Sequence, residues 1–238
     1  MVARSPLPRS AAMATPPLAV PVLSEAQRRK ADESDDALFY RQPRFVHHLD
    51  GAFRGRLTQL YRERLQPGWR LLDLMSSWVS HLPEEVSYTE VVGHGLNGEE
   101  LAANPRLQRH WQQNLNREQR LPLETGSLDA ALIVAGWQYL QQPEAVAVEL
   151  QRVLRPGGLL IVAFSNRMFP TKAPQAWLEA SDRDRLAGVA KVLLCQGWQL
   201  EQLIAEDTRA DGPLGWIGGK GDPFFAVIAS TAAGGGHG

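Results

Sequence analysis

The chain has 238 residues, of which 44% are hydrophobic and 21% are charged, and its formal net charge is −1. This composition is that of a globular α/β protein, and without an excess of positive charge the chain is not expected to bind nucleic acid or an anionic membrane. The single cysteine, Cys195, excludes an intrachain disulfide bond and a zinc site made of several cysteines, and no metal site is predicted.

The N-terminal third contains a tail and a helical region. Residues 1–23 carry two arginines, several Ser and Pro residues and no acid, which predicts a disordered tail, with a transit peptide as the alternative. The expected location is therefore the cytoplasm, or a plastid if the tail is a transit peptide. Residues 24–66 are predicted to form a helical cap that starts at the N-cap Ser24 and has helical apolar spacing between Phe45 and Leu65.

Residues 67–230 alternate apolar runs with helical patterns. Strands are predicted at residues 69–75, 88–96, 127–137, 159–167, 197–206 and 222–230, with a weaker strand at or just before Leu115. Helices are predicted at residues 78–85, 97–115, 142–154 and 182–196, the last with Cys195 on its buried stripe. This order predicts a mostly parallel sheet covered by helices on both faces, with an antiparallel pair of strands at the end. Residues 231–238 are predicted to be a flexible tail, and no apolar run reaches the length of a membrane span.

Residues 121–170 carry the most specific pattern in the chain. Leu121 and Pro122 come before a turn that leads to the pair Leu128-Asp129. A helix is predicted to begin around Tyr139, Leu140 and Pro143. Residues 152–158 then read Arg-Val-Leu-Arg-Pro-Gly-Gly. Over these fifty residues the chain resembles the class I S-adenosylmethionine-dependent methyltransferases of the small-molecule branch, in a divergent version similar to plant and cyanobacterial proteins. The resemblance implies a three-layer α/β/α Rossmann-like fold with a seven-stranded sheet whose last strand is antiparallel. It also implies S-adenosylmethionine as the cofactor.

Two features of that family are missing from this sequence. In the family, three glycines form the turn after the first strand, and their positions correspond to Met75, Ser77 and Val79 in this chain. The acid that binds the cofactor ribose in the family falls on Gly95. Two interpretations follow: an enzyme with substitute ligands, or a non-catalytic or cofactor-free protein that keeps the methyltransferase-like scaffold for binding.

Substitutes for the missing ligands are present near each position. The hydroxyls of Ser76 and Ser77 precede a predicted helix, Asn97 follows the missing acid by two residues, and Asn116 lies where relatives bind adenine. The full set of cofactor-binding candidates also includes residues that neighbour these ligands at the strand ends. The candidates are Tyr40, Asp73, Met75, Ser76, Ser77, Trp78, Gly95, Leu96, Asn97, Asn116 and Ala135.

Candidates for the substrate side lie in three places: the stretch 39–50, the end of the fourth strand and the end of the fifth strand. The carboxyl edge of a parallel sheet is where such folds bind ligands. The substrate-binding candidates are Arg44, His81, Trp137, Asn166 and Arg167, to which Lys172 is added as a possible contact, and the catalytic candidates are His47, His48 and Tyr139. The predicted partner is a small-molecule substrate, and the sequence does not indicate an oligomeric state.

Overall fold

A computed structural model describes residues 18–206 and 221–234. Of the predicted tails at residues 1–23 and 231–238, residues 1–17 and 235–238 lie outside the described residues. Seven strands form one sheet in the order β3-β2-β1-β4-β5-β7-β6. The strands are β1 Arg70–Leu74, β2 Glu90–Gly95, β3 Arg109–Gln112, β4 Leu128–Val134, β5 Leu154–Phe164, β6 Gln199–Glu206 and β7 Phe224–Ser230.

Strands β1 to β5 run parallel to one another, and β7 pairs antiparallel with both β5 and β6. This arrangement confirms the predicted seven-stranded Rossmann-like sheet with an antiparallel end. The helices are α1 Glu25–Arg28, α2 Asp36–Phe39, α3 Gly51–Arg64, α4 Gly98–Ala103, α5 Pro143–Val153, α6 Gln175–Leu178 and α7 Asp182–Cys195, with a short 3-10 helix at Trp137–Tyr139.

The two faces of the sheet are buried by different helices. On one face, α3 packs Phe53, Leu57, Leu60 and Tyr61 against apolar strand residues. On the other face, α5 and α7 bury an apolar core with the opposite side chains of the same strands. Because both faces are covered, the strands read as nearly continuous apolar runs, which is why the sequence located most of them.

The predicted helix at residues 78–85 is wrong: the chain between β1 and β2 has no helix. Two physical causes are visible. Helix α3 already covers this sheet face, where Leu82 packs beside it and the Thr58 hydroxyl donates to the carbonyl of His81. Pro83 also has no N–H for a helical hydrogen bond.

Three smaller expectations also differ from the structure. The predicted helix at residues 97–115 ends at Ala103, and the chain turns after Pro105 and pairs with β2 as β3. The predicted helical spacing before Gly51 belongs to an irregular segment. Cys195 is exposed, because the buried stripe of α7 passes through Leu186, Val189, Ala190 and Leu193 on another side of the helix.

Candidate functional site

A cavity of about 720 Å³ lies at the carboxyl edge of the parallel strands. Its walls come from the segments that follow β1, β2, β3, β4 and β5, and from part of the chain before α3. A second cavity of about 90 Å³ shares Met75, Ser76 and Ala135 with it. The described residues include no cluster of His, Cys, Asp and Glu side chains suited to a metal ion.

The backbone is strained around these two cavities. In the described part of the chain, three residues other than glycine have a positive φ: Met75 at 59°, His81 at 54° and Ala135 at 49°. All three line one or both cavities. Such conformations cost on the order of 1–3 kcal/mol each and concentrate at functional sites. Met75 stands at the first of the family's glycine positions, so the turn keeps a left-handed backbone there without a glycine.

The turn after β1 is held by His94 on the neighbouring strand. His94 Nδ1 accepts a hydrogen bond from the N–H of Met75 at 3.1 Å, and its carbonyl accepts one from the N–H of Ser76 at 2.6 Å. His94 Nε2 lies 2.9 Å from the carbonyl of Gln113, which makes Nε2 the protonated nitrogen. Burial lowers the pKa of His94 to about 4, so the ring is neutral and keeps this tautomer at neutral pH.

The two serines of the turn donate hydrogen bonds to buried acidic side chains. The Ser76 hydroxyl donates to Asp73 at 2.7 Å, and the Ser77 hydroxyl donates to Glu100 at 2.5 Å. Burial raises the pKa of Asp73 to about 6, against the lowering effect of hydrogen bonds from Ser80 and Ser76. The sequence placed these serines at a helix N-terminus for anion binding, and without that helix their hydroxyls have internal roles instead.

Gly95 ends β2 against the same turn. A Cβ atom on Gly95 would lie 2.5 Å from the carbonyl oxygen of Ser76, a distance that real Cβ atoms do not reach. The position of the family's ribose-binding acid is therefore closed to any side chain unless the turn moves. Gly136 meets the turn in a similar way, since its Cβ would lie 2.7 Å from the Cβ of Met75.

Glu100 is the carboxylate that lines the large cavity next to Gly95. It lies in the first turn of α4, is 8% exposed, and accepts hydrogen bonds from the Ser77 hydroxyl and from the N–H of Arg44 at 2.7 Å. It forms no salt bridge within the described residues. Sequence reasoning missed Glu100, since an acid in the first turn of a helix is ordinarily explained by the helix dipole.

The two asparagines proposed as substitute ligands hold the segment of residues 30–44, called here the N-terminal segment. Asn97 donates to the carbonyls of Tyr40 and Arg41 and accepts from the N–H of Glu100. Asn116 donates to the Asp36 carboxylate and the Tyr139 carbonyl, and it accepts from the N–H of Gln141. Both side chains line the cavity, but their amide N–H groups already donate hydrogen bonds that hold other parts of the chain beside it.

Buried lysines fasten the same segment. Lys30 contacts Asp36 at 2.8 Å, and the fully buried Lys172 contacts Asp32 at 2.9 Å and the Ser34 carbonyl at 2.9 Å. Lys172 was expected as a substrate contact, but it does not line either cavity. The N-terminal segment is thus clamped by ion pairs onto the loop that follows β5.

Aromatic rings line the cavity on the side of the N-terminal segment. Tyr139 and Phe169 are stacked with centroids 6.2 Å apart, and Tyr40 meets each of them edge-on at 6.4 Å. The Tyr139 hydroxyl accepts from the N–H of Phe169, and burial raises its pKa, so Tyr139 is protonated at neutral pH. Trp137, the other expected aromatic wall, is in the core beneath the sheet edge and does not line the cavity.

Each remaining sequence candidate lines one of the two cavities, and His48 lines both. His48, Leu96, Asn166 and Arg167 line the large one, and Arg167 also pairs with Asp222. His47, Trp78 and His81 line the small one with Arg54. The His47 ring packs on Trp78 at 4.7 Å, and burial lowers the pKa of His81 to about 4.

Unpaired polar atoms concentrate at the large cavity. Of the seven buried side-chain nitrogen or oxygen atoms without a hydrogen-bond partner in the described chain, three belong to cavity residues: Asp36 Oδ1, Arg44 Nη1 and Gln138 Oε1. All three atoms have essentially no accessible surface, and Asp36 Oδ1 lies 3.5 Å from the ammonium group of Lys172. Gln138 lies between the candidates Trp137 and Tyr139 in the sequence but was not itself predicted, because an uncharged glutamine gives no sequence signal for a binding role.

Residues 77–162, less than half of the chain, match the sequence family described as "Methyltransferase domain". The match places a methyltransferase domain in the part of the chain that runs from the turn after β1 into β5. No curated protein matches the chain in sequence.

Solved structures support the same fold. The [4+2]-cyclase SpnF is 18% identical with a TM-score of 0.55, over 75% of this chain and 82% of its own. A methyltransferase from Mesorhizobium loti, described as dependent on S-adenosylmethionine, is 18% identical with a TM-score of 0.53, over 72% and 96% of the two chains. Haemonchus contortus phosphoethanolamine N-methyltransferase 2, solved with S-adenosyl-L-methionine, is 13% identical with a TM-score of 0.53, and the match covers 78% of this chain and 54% of that chain. At these identities the likeness concerns the fold. Among the described residues, no helix has the length and apolar character needed to cross a membrane.

Proposed function

We propose that this enzyme transfers a methyl group from S-adenosylmethionine to a small molecule, and that both bind in the large cavity. The observation that carries the proposal is the cavity of about 720 Å³ at the carboxyl edge of the sheet, lined by the segments that follow all five parallel strands. Open α/β sheets bind ligands at this edge.

The cavity residues fit the cofactor, though by other contacts than those of the family. Glu100 is the buried carboxylate beside the closed Gly95 position, and each of its oxygens retains a free lone pair for a ribose hydroxyl. Leu96 and Leu115 offer apolar surface for the adenine, and the turn at Met75 with Ala135 and Gly136 offers backbone for the amino-acid end.

The cofactor supplies a methyl group bonded to a positively charged sulfur. The chain's part is to hold the acceptor in line with that methyl group and to take up a proton where the acceptor carries one. Among the three catalytic candidates, His48 is the one suited to accept a proton. It lines the large cavity, and burial lowers its pKa, so its ring is neutral at pH 7.

The alternative function is that of a binding protein that has kept the fold without the cofactor. The closed Gly95 position and the engaged side chains of Asn97 and Asn116 favour it. Maintenance of a strained backbone at Met75 and Ala135, both at the cavity, favours the enzyme.

Calorimetric titration with S-adenosylhomocysteine tests the proposal. The wild-type protein is expected to bind with micromolar affinity. Glu100→Gln is expected to weaken binding about tenfold, since it removes a charged acceptor. The matched control is Glu99→Gln, because Glu99 is exposed on the same helical turn, and it is expected to bind as the wild type does.

Each outcome of this titration decides a different point. No heat with wild-type protein at millimolar ligand would contradict cofactor use and support the binding-protein alternative. Tight wild-type binding that Glu100→Gln leaves unchanged would contradict only the role of Glu100.

A further inference from the structure

We infer that His94 is a positioning residue for the cofactor: its ring ties the turn after β1 to the start of the loop after β3, so that the two ends of the cofactor site keep a fixed spacing. The inference rests on the proposed function, which puts the amino-acid end of the cofactor at the turn and its adenine beside the loop. His94 lies on β2, the strand that pairs with β1 on one side and with β3 on the other.

Both nitrogens of the His94 ring are engaged between these two segments. Nδ1 accepts a hydrogen bond from the N–H of Met75 at 3.1 Å, and Nε2 donates one to the carbonyl of Gln113 at 2.9 Å. Met75 and Gln113 line the large cavity, and His94 is 1% exposed. Since the ring is buried and has no nitrogen left for a ligand, its effect on the cofactor passes through these two residues.

The turn after β1 depends on His94 for its shape. Met75 has a left-handed backbone with φ of 59°, a conformation that persists only where the surrounding structure holds it. The N–H groups of Met75 and Ser76 both donate to His94, the first to the ring and the second to the carbonyl at 2.6 Å. Loss of the ring acceptor therefore removes one of these two hydrogen bonds from a strained turn.

The loop after β3 is connected to His94 through Gln113. The N–H of Gln113 donates to the Gly95 carbonyl at 3.3 Å, and its side-chain amide donates to the carbonyls of Glu118 and Arg120, both at 2.8 Å. The loop that these bonds close carries Leu115, which lines the cavity where the adenine is proposed to bind. A change in the position of Gln113 therefore moves the adenine surface.

A neutral histidine suits this place between the two segments. An imidazole offers one acceptor and one donor on a rigid ring. Burial lowers the pKa of His94 to about 4, so Nδ1 remains an acceptor at pH 7. The ring also contacts Trp111 of β3 with centroids 5.1 Å apart, which restricts its rotation. Because the ring is rigid and held, a shift of one segment is transmitted to the other.

The test is an NMR titration of isotope-labelled protein at pH 7 with two probes, S-adenosylhomocysteine and adenosine. Adenosine ends at the ribose and lacks the amino-acid end. Wild-type protein is expected to bind S-adenosylhomocysteine about tenfold or more tightly than adenosine, since only the larger probe reaches the turn. Adenosine is also expected to slow hydrogen exchange of the Met75 amide about threefold, because His94 transmits its binding to the turn.

Three substitutions separate the two hydrogen bonds of the ring. His94→Asn keeps an acceptor at the reach of Nδ1, so both probes are expected to bind about tenfold more weakly with an unchanged preference for S-adenosylhomocysteine. His94→Gln keeps a donor at the reach of Nε2, so adenosine is expected to bind as it does to wild type while the preference falls about tenfold. His94→Phe keeps a ring without nitrogens and is expected to lose both affinity and preference.

His110→Phe is the matched control for these variants. His110 is an exposed histidine of β3 that lines neither cavity, so its substitution is expected to leave both affinities as in wild type. A residue that only supports the fold would weaken both probes alike in every variant. The opposite patterns expected for His94→Asn and His94→Gln distinguish positioning from such general support.

Three results would overturn the inference and leave the proposed function in place: an unchanged ratio of the two affinities in all three variants, no binding of adenosine at millimolar concentration while S-adenosylhomocysteine binds, or a Met75 amide whose exchange adenosine does not affect. The last two are measured on wild-type protein, so they decide the point even if the variants fail to fold. Wild-type protein that binds neither probe would contradict the proposed function, and the inference with it.

Discussion

The carbonyl oxygen of Ser76 lies 2.5 Å from the place where a Cβ atom on Gly95 would stand. Because the obstacle is backbone, it cannot rotate away as a flexible side chain could. We expect Gly95→Ala to lower the free energy of unfolding by about 1–3 kcal/mol, the range for overpacking a buried site. Urea denaturation measures this change.

Gly188→Ala is the matched control for Gly95→Ala. Gly188 lies in α7 with open space where a Cβ would be added, so alanine is expected to stabilise the helix by roughly 0.5–1 kcal/mol. If Gly95→Ala proved as harmless as Gly188→Ala, the turn would not be packed against β2 as described.

The left-handed backbone at Met75 leads to a second prediction. Glycine adopts φ of 59° without strain, whereas a β-branched residue strongly resists it. Met75→Val is therefore expected to be less stable than Met75→Gly by more than about 1 kcal/mol, although valine keeps more of the apolar side chain. Thermal unfolding of both variants provides the comparison. The reverse order would mean that the side chain of Met75, and not its backbone, dominates at this position.

Buried titratable groups predict how stability depends on pH. The pKa values of His94 and His81 are lowered by burial to about 4, so their contribution is present above the ordinary pKa of 6.5 and is lost as the pH falls towards 4. The pKa of Asp73 is raised by burial from 3.8 to about 6, so its contribution has the opposite sign: it is present below pH 3.8 and is lost as the pH rises through 6.

Asp73→Asn separates these effects. The substitution is expected to raise the free energy of unfolding at pH 7.5 by roughly 1–3 kcal/mol, because a buried charge is removed. It is also expected to make the loss of stability between pH 6 and 4 steeper, since the opposing gain from Asp73 disappears. Denaturation at a series of pH values measures both effects, and identical curves for variant and wild type would show that Asp73 is not buried as a charge.

Lys172 clamps the N-terminal segment, which predicts the effect of its removal. Lys172→Met leaves the carboxylate of Asp36 without one of its two lysines, and breaking a buried pair from one side costs roughly 3–5 kcal/mol. Limited proteolysis is expected to cut residues 30–44 faster in this variant. Lys191→Met, at an exposed lysine of α7, is the control and is expected to behave as the wild type does. Equal proteolysis of the two variants would contradict the clamp.

The sequence predicted the sheet well because burial on both faces leaves a strong local signal. The strands near Leu72, Leu132 and Ile161 are apolar throughout and were located from that pattern alone. The helix expected after β1 is absent for a local reason, Pro83, and for one that the local sequence does not show: α3, earlier in the chain, covers the surface on which that helix would pack.

The sequence pointed to the sheet edge where the large cavity lies, but it did not show the hydrogen bonds that each residue makes there. Met75, Ser77 and Asn97, named from the sequence, line the large cavity, but the sequence could not show that Asn97 donates hydrogen bonds to the N-terminal segment. Glu100 and Gln138 escaped notice because their burial, which makes them informative, depends on distant segments.

The most direct test of cofactor binding in the large cavity is a crystal structure of the protein with S-adenosylhomocysteine. The account predicts density for the ligand within the cavity bordered by Met75, Glu100 and Gln138, with the Glu100 carboxylate in contact with the ribose hydroxyls. A ligand bound elsewhere, or an empty cavity at saturating ligand, would contradict the account.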